Sequence, residues 1–224
     1  IVFKPIINLY GMSRSFKIIY NENDYNNNIK DGLFWEKYLS GNHYCIDIIL
    51  LNGKIKFYSC LQSFPFTEGT FKYHESIPEY ILPEHITKWI LFHLKNYTGC
   101  FNIEIINDLI IEAHLRLNGD YYLYNDNFTK ELAKLYNRGI WELEYKIEKK
   151  YLIPVFINNK NNTNDIDAKD ILDITNKYKC DNIHFDDINS NYQKETLTRY
   201  LMFECNNLQN GLKAKDDILD IINI

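Results

Sequence analysis

Glu104, Glu112, His114 and Arg116 stand close together in a stretch of short apolar segments, a combination of carboxylates, imidazole and guanidinium suited to holding a cation and an anion side by side. Ile103, Ile105 and Ile106 surround Glu104, Asn107-Asp108 supplies turn residues, and Leu109, Ile110 and Ile111 lead into Glu112, so residues 103–117 read as a β-hairpin. In the second arm, Glu112, His114 and Arg116 alternate with Ala113, Leu115 and Leu117, which puts the three polar side chains on one face. Pairing the arms can bring Glu104 to the same face. Two facing carboxylates repel and each drifts toward its neutral form. A divalent ion removes that conflict, and magnesium takes a few carboxylate oxygens while phosphates complete its shell. A hairpin whose polar face is simply solvated gives the same alternation.

The hairpin resembles the metal-binding end of the ATP-grasp superfamily, in which one strand carries an acidic residue and the next a Glu-x-Asn-x-Arg pattern. Glu104 takes the place of the first carboxylate, and Glu-Ala-His-Leu-Arg-Leu-Asn-Gly matches through Glu112, Arg116, Leu117 and Gly119. Where the pattern has asparagine, this chain has His114. An imidazole nitrogen is a softer ligand than an amide oxygen and tilts preference toward manganese or zinc.

Two earlier segments resemble the same family in the same order. Ile-Val-Phe-Lys-Pro ends a short apolar strand in Lys4, as does the Lys-Pro strand whose lysine contacts nucleotide phosphates. The following segment, with Gly11, Ser13, Arg14 and Ser15, is similar to a reduced version of the glycine- and serine-rich flap over those phosphates. Residues 33–50 resemble the adenine-binding hinge, whose Glu-Lys-x-Leu-x-Gly run carries over to Glu36, Lys37, Tyr38 and Leu39. Two residues past the glycine, where the family usually has a glutamate for the ribose hydroxyls, stands His43. Imidazole offers one acceptor where a carboxylate offers several.

The remaining pattern predicts elements able to position these groups. Residues 44–51 alternate, Asn52-Gly53 is the strongest hairpin signal in the chain, and residues 54–61 return as the partner strand. Ile86, Trp89, Ile90, Leu94 and Tyr97 carry a 3,4 spacing that predicts a helix over residues 83–97 with Gly99 as its stop. Leu132, Leu135 and Tyr136 predict a second helix over residues 128–137, closed by Arg138-Gly139. His85 and His93 read as structural. Beyond residue 150 come a strand at 151–157, an Asn-rich loop, a helix at 168–178, a short strand at 183–185, residues 196–203, and a final helix at 213–224. The acidic residues Asp181, Asp186 and Asp187 lack the spacing of a calcium loop.

The fold expected is α+β: an ATP-grasp fold of antiparallel sheets and flanking helices, with a nucleotide- and metal-binding region at 1–148 and a small C-terminal α/β unit at 149–224. The resemblance implies that a domain binding the acceptor substrate, or a second chain, completes the N-terminal side. The 224 residues, 46% hydrophobic, suffice for a sizeable core, and the net charge of -5 provides no basic field for nucleic acid. No apolar run is long enough to span a membrane. Five scattered cysteines without a Cys-x-x-Cys pair read as reduced core residues of a cytoplasmic protein, and the abundance of Asn, Ile, Lys and Tyr points to an AT-rich coding sequence, microbial or viral.

The resemblance implies an ATP-dependent carboxylate ligase that passes through an acyl phosphate, acting on small-molecule carboxylate and amine substrates with ATP and Mg (or Mn) as cofactors. In it Lys4 and Arg116 are catalytic, and Glu104, Glu112 and His114 hold metal. Two other readings fit the same residues: a non-catalytic, nucleotide-binding or structural descendant of the fold, and a binding module that uses the chain's 18 Tyr and 13 Phe at an interface.

Overall fold

Short antiparallel strands open the chain: β1 (Val2–Pro5) is flanked by β2 (Lys17–Ile18) and β3 (Leu33–Glu36) in the order β2-β1-β3. The computed structural model describes residues 1–6, 16–65, 70–118, 124–158, 166–186 and 197–222. Between β2 and β3 lies α1 (Glu22–Asn28), which has no buried residue and begins where the Asn21 side chain accepts from the Asp24 amide at 2.9 Å. Its polar sequence has no apolar stripe, which is why periodicity does not predict it.

A single eight-stranded antiparallel sheet contains the remaining strands. β4 (His43–Leu51) and β5 (Lys54–Pro65) form the predicted hairpin, followed by β6 (Phe71–Ser76), α2 (Glu84–His93), β7 (Gly99–Ile106) and β8 (Leu109–His114). Next come α3 (Asp126–Arg138), β9 (Tyr151–Asn158), α4 (Ala168–Lys177), β10 (Cys180–Phe185), β11 (Leu197–Cys205) and α5 (Leu208–Ile222). The sheet order is β10-β11-β9-β6-β5-β4-β7-β8. The strands after residue 148 therefore extend the main sheet, joined to it by the β6–β9 pairs His74↔Leu152 and Glu75↔Tyr151.

Period-2 alternation along β4 sorts the two faces. Ile46, Ile48 and Leu50 pack with Ile103 and Ile105 of β7 under Ile86 and Ile90 of α2. On the opposite face, Ile49 and Cys100 lie beneath Phe128 and Leu135 of α3 and Trp141. α3 has the signals expected of it: Asn125 caps its first amides and Gly139 ends it with φ 64°. α4 and α5 bury Ile171, Ala214 and Ile218 against β9 and β11. α2 stops at His93, short of the expected end, and Gly99 begins β7 with φ 147° instead of closing the helix. α5 starts earlier than expected because Gly211, which reads as a breaker, is buried inside it against Ile153. All five cysteines are buried and none is in a disulfide. No helix among the described residues is long and apolar enough to cross a membrane.

The β4–β5 turn has Asn52 and Gly53 at φ 49° and 73°, and the Gly53 amide donates to the Tyr97 carbonyl at 2.9 Å. A Cβ on Gly53 would run into the Lys95 backbone. Gly53→Ala is expected to destabilise the protein by about 2 kcal/mol or more, from positive φ and from the collision. Urea denaturation measures it, and an unchanged midpoint would mean that the turn is not docked on residues 95–97.

Candidate active site

The β7–β8 register sets Glu104 opposite Glu112 and Asn102 opposite His114, so the hairpin places all four on one face as the alternation predicts. Asn107 and Asp108 make the turn with φ 51° and 64°. One ligand atom each from Glu104, Glu112 and His114 lies within 4.8 Å of the others, the metal-competent cluster found among the described residues. Two carboxylates and an imidazole nitrogen at that separation suit a divalent cation.

Each carboxylate has a cationic or imidazole neighbour. His43, at the start of β4, meets Glu104 Oε2 through Nε2 at 3.0 Å, and His114 Nε2 meets Glu112 Oε2 at 3.3 Å. Burial alone would push the Glu104 carboxyl up, but the His43 hydrogen bond and the charges of His43, His114 and Lys4 hold it below the ordinary glutamate value. Lys4 reaches across from the three-stranded sheet, with Nζ 2.8 Å from Glu36 Oε2 and 3.5 Å from Glu112 Oε1. Burial opposes its charge, yet the bond to Glu36 and the charges of Glu112 and Glu36 raise it above the ordinary lysine value.

Six of the residues singled out by sequence, Lys4, Glu36, His43, Glu104, Glu112 and His114, thus form one connected cluster between the two sheets. Glu36 and His43, assigned by resemblance to adenine and ribose, contact Lys4 and Glu104. Lys37 and Tyr38 are exposed and Leu39 is half-buried in the segment after β3. Arg116 is exposed just beyond β8, where Nη1 donates to the Leu117 carbonyl at 3.0 Å. Gly11, Ser13, Arg14 and Ser15 lie outside the described residues, as do Gly119 and Asp187. His85 lies away from this cluster, where its Nε2–H donates to the Asp108 carbonyl oxygen at 2.8 Å.

Behind the cluster is a group that periodicity did not single out. Asp47, fully buried in β4, accepts from the Asn102 amide nitrogen at 2.8 Å, the Asn118 backbone N–H at 2.9 Å and the Tyr124 hydroxyl at 3.2 Å. Tyr124 is also 2.5 Å from Ser59 Oγ, and the Asn118 side chain donates to Cys45 Sγ at 3.0 Å. The available signal was a lone acid inside the apolar run Cys-Ile-Asp-Ile-Ile-Leu.

The two antiparallel sheets with flanking helices form the ATP-grasp fold. Among solved structures, the chain is similar to L-amino acid ligase from Bacillus licheniformis, with TM-score 0.66 and 11% identity over 98% of this chain and 61% of that one. It is also similar to carboxyaminoimidazole ribonucleotide synthase from Aspergillus clavatus complexed with ATP, with TM-score 0.65 and 10% identity over 99% and 62%. N5-carboxyaminoimidazole synthetase from Staphylococcus aureus complexed with ADP gives 0.64 and 13% over 98% and 60%. The chain spans about three-fifths of the length of the structures it matches. No family model and no curated protein matches the sequence.

Burial pushes the Asp47 carboxyl from an ordinary 3.8 up to about 7, against the Asn118, Asn102 and Tyr124 hydrogen bonds and the positive charge of Arg116. Because this value lies above that of the unfolded chain, the contribution to stability is present in acid and is lost as pH rises through about 7. Denaturation midpoints are expected to fall between about pH 5 and pH 8, with the fall reduced in Asp47→Asn. An identical pH profile in the two proteins would mean that Asp47 stays ionised throughout.

Proposed function

We propose that the chain is the nucleotide- and metal-binding part of an ATP-dependent carboxylate ligase, forming C–N bonds through an acyl phosphate. The observation that carries this reading is the Lys4-linked cluster of Glu104, Glu112 and His114 at the seam of two sheets in an ATP-grasp fold. The likeness to ligases whose structures contain ATP or ADP supports it.

In this reading, Glu104, Glu112 and His114 hold Mg or Mn, which when bound neutralises phosphate oxygens. Lys4 exchanges part of its carboxylate contact for nucleotide phosphate. Arg116 stabilises the charge of the phosphoryl group moving to the acceptor carboxylate, after which an amine displaces phosphate. Most of the rate gain comes from positioning and charge neutralisation. The substrates are a small carboxylate and an amine, bound with the help of a further domain or chain. The net charge of -5 gives nucleic acid no basic surface, and the reaction is assigned to the cytoplasm.

A second reading, a nucleotide-binding descendant without turnover, is favoured by the contacts of Glu36 and His43. Both occupy positions that the family gives to nucleotide, yet here they are engaged with Lys4 and Glu104. ATP hydrolysis coupled to an acceptor separates the two readings.

Saturating ATP with a divalent ion, at about a hundred times its Kd, is expected to stabilise the protein by about 2.7 kcal/mol, and Glu112→Gln to remove most of that gain. The readout is a thermal-shift titration; no shift at millimolar nucleotide in the full-length protein would sink the nucleotide site. His114→Asn is expected to move metal preference from manganese toward magnesium, since an amide oxygen is the harder ligand. An unchanged ratio of nucleotide affinities in the two metals would remove His114 from the ligand set. With a carboxylate and an amine supplied, Lys4→Ala and Arg116→Ala should each lower phosphate release by orders of magnitude. ATP binding without phosphate release across a broad acceptor panel would select the second reading.

A further inference from the structure

The Asp47 carboxylate grips the chain at two points that bracket the connection between β8 and α3. Before the connection, its Oδ1 accepts the Asn118 backbone N–H at 2.9 Å. After it, its Oδ2 accepts the Tyr124 hydroxyl at 3.2 Å. Neither end depends on Asp47 alone. The Asn118 side chain donates to Cys45 Sγ, and Leu117 packs on the core under α3. Tyr124 stacks on Phe128 with ring centroids 4.0 Å apart and planes at 9°. The carboxylate hydrogen-bonds both ends, and it also takes the Asn102 amide, whose residue is the cross-strand partner of His114.

Arg116 stands two residues ahead of the first grip point. It lies outside the β8 ladder, which ends at His114, and its guanidinium turns back onto the Leu117 carbonyl. With no strand partner at residue 116, the backbone direction there is set by what holds residues 117 and 118. A carboxylate with no exposure to solvent is costly unless its oxygens are satisfied, so the arrangement is strongly favoured once formed.

We propose that Asp47 is a positioning residue: by clamping Asn118 and Tyr124 together, it fixes the end of β8 and with it the direction in which Arg116 presents its guanidinium to a bound polyphosphate. Asp47 does not touch the ligand and acts through Arg116. The inference rests on the reading of this site as one for nucleotide, and the anion concerned is the phosphate chain of ATP.

A double-mutant cycle tests it, with Asp47→Ala and Tyr124→Phe made alone and with Arg116→Ala, and with ATP–magnesium affinity measured by calorimetry. Asp47→Ala is expected to weaken binding about ten-fold and Tyr124→Phe about three-fold when Arg116 is present, but each by less than about two-fold in the Arg116→Ala background. Asp47→Asn, which keeps an oxygen for the Asn118 amide, should recover most of the affinity. Equal losses in both backgrounds would overturn the proposal, because they would mean that Asp47 supports the fold without acting through Arg116. Tyr124→Phe preserves the stacked ring and keeps the test available if Asp47→Ala does not fold.

Amide hydrogen exchange without nucleotide gives a readout independent of the ligand. The Asn118 amide should exchange about ten-fold faster in Asp47→Ala or Tyr124→Phe, while β4 and β7 remain protected. Unchanged exchange in both variants would refute the clamp. If the exchange responds as stated but the wild-type protein binds no ATP, the clamp stands and the nucleotide reading falls.

Discussion

Glu104 and Glu112 are held opposite each other by strand pairing, and the site is arranged around the repulsion between them. Neither can leave: the isoleucines on either side of Glu104 are locked into the core on the other face, so its carboxylate must stay on this one. His43 meets one acid and His114 and Lys4 meet the other. Glu36 adds a third carboxylate on Lys4. The group sets the carboxylates of Glu36, Glu104 and Glu112 against the ammonium of Lys4 and the two imidazoles. This neutralisation by the protein's own groups offsets the repulsion that strand pairing imposes.

The layer beneath turns that surface arrangement into a fixed geometry. Asp47 and Asn102 face the same side as the acidic pair, one step deeper toward α3, and they bond to each other. Beyond them the face becomes aromatic, with Phe57, Tyr124, Phe128, Trp141 and Tyr145 in mutual ring contact. The face is thus graded along β4 from charged, through polar and satisfied, to apolar. Such an order lets one strand serve as wall of the site and as part of the core, because the polar middle layer prevents the carboxylates from bordering directly on hydrocarbon.

The grading along β4 was not legible in the sequence, whereas several of the elements around it were, for physical reasons that differ between them. The β7–β8 hairpin was readable because period-2 alternation and a two-residue turn are local signals, but the pairing of Glu104 with Glu112 also needs the bulge between Ile105 and Glu104, which no local signal marked. α3 carried a cap and a glycine stop at its ends. The pairing of β9 with β6 was not readable, since nothing local specifies which strand a distant segment joins. Glu36 and His43 were singled out by resemblance to a nucleotide hinge, but which groups they touch depends on the approach of Lys4 and β7 from elsewhere in the chain. Asp47 was visible only as an oddity, because its partners come from β7 and from both sides of the β8–α3 connection.

The join between β6 and β9 rests on two register pairs in the middle of the eight-stranded sheet. α4 and α5 cover β9 and β11 and α2 and α3 cover β4 and β7, while Cys45, Leu61, Leu152 and Met202 form a smaller apolar cluster that crosses the join. The Ser76 amide donates to the Lys150 carbonyl and the Lys150 amide to Ser76 Oγ across the same join, beside that apolar cluster. Cooperativity follows the apolar interior. The cluster therefore couples β9 and β11 to the strands that carry the acidic pair, and loosening the C-terminal strands would uncover Cys45 and Leu61 beneath the site.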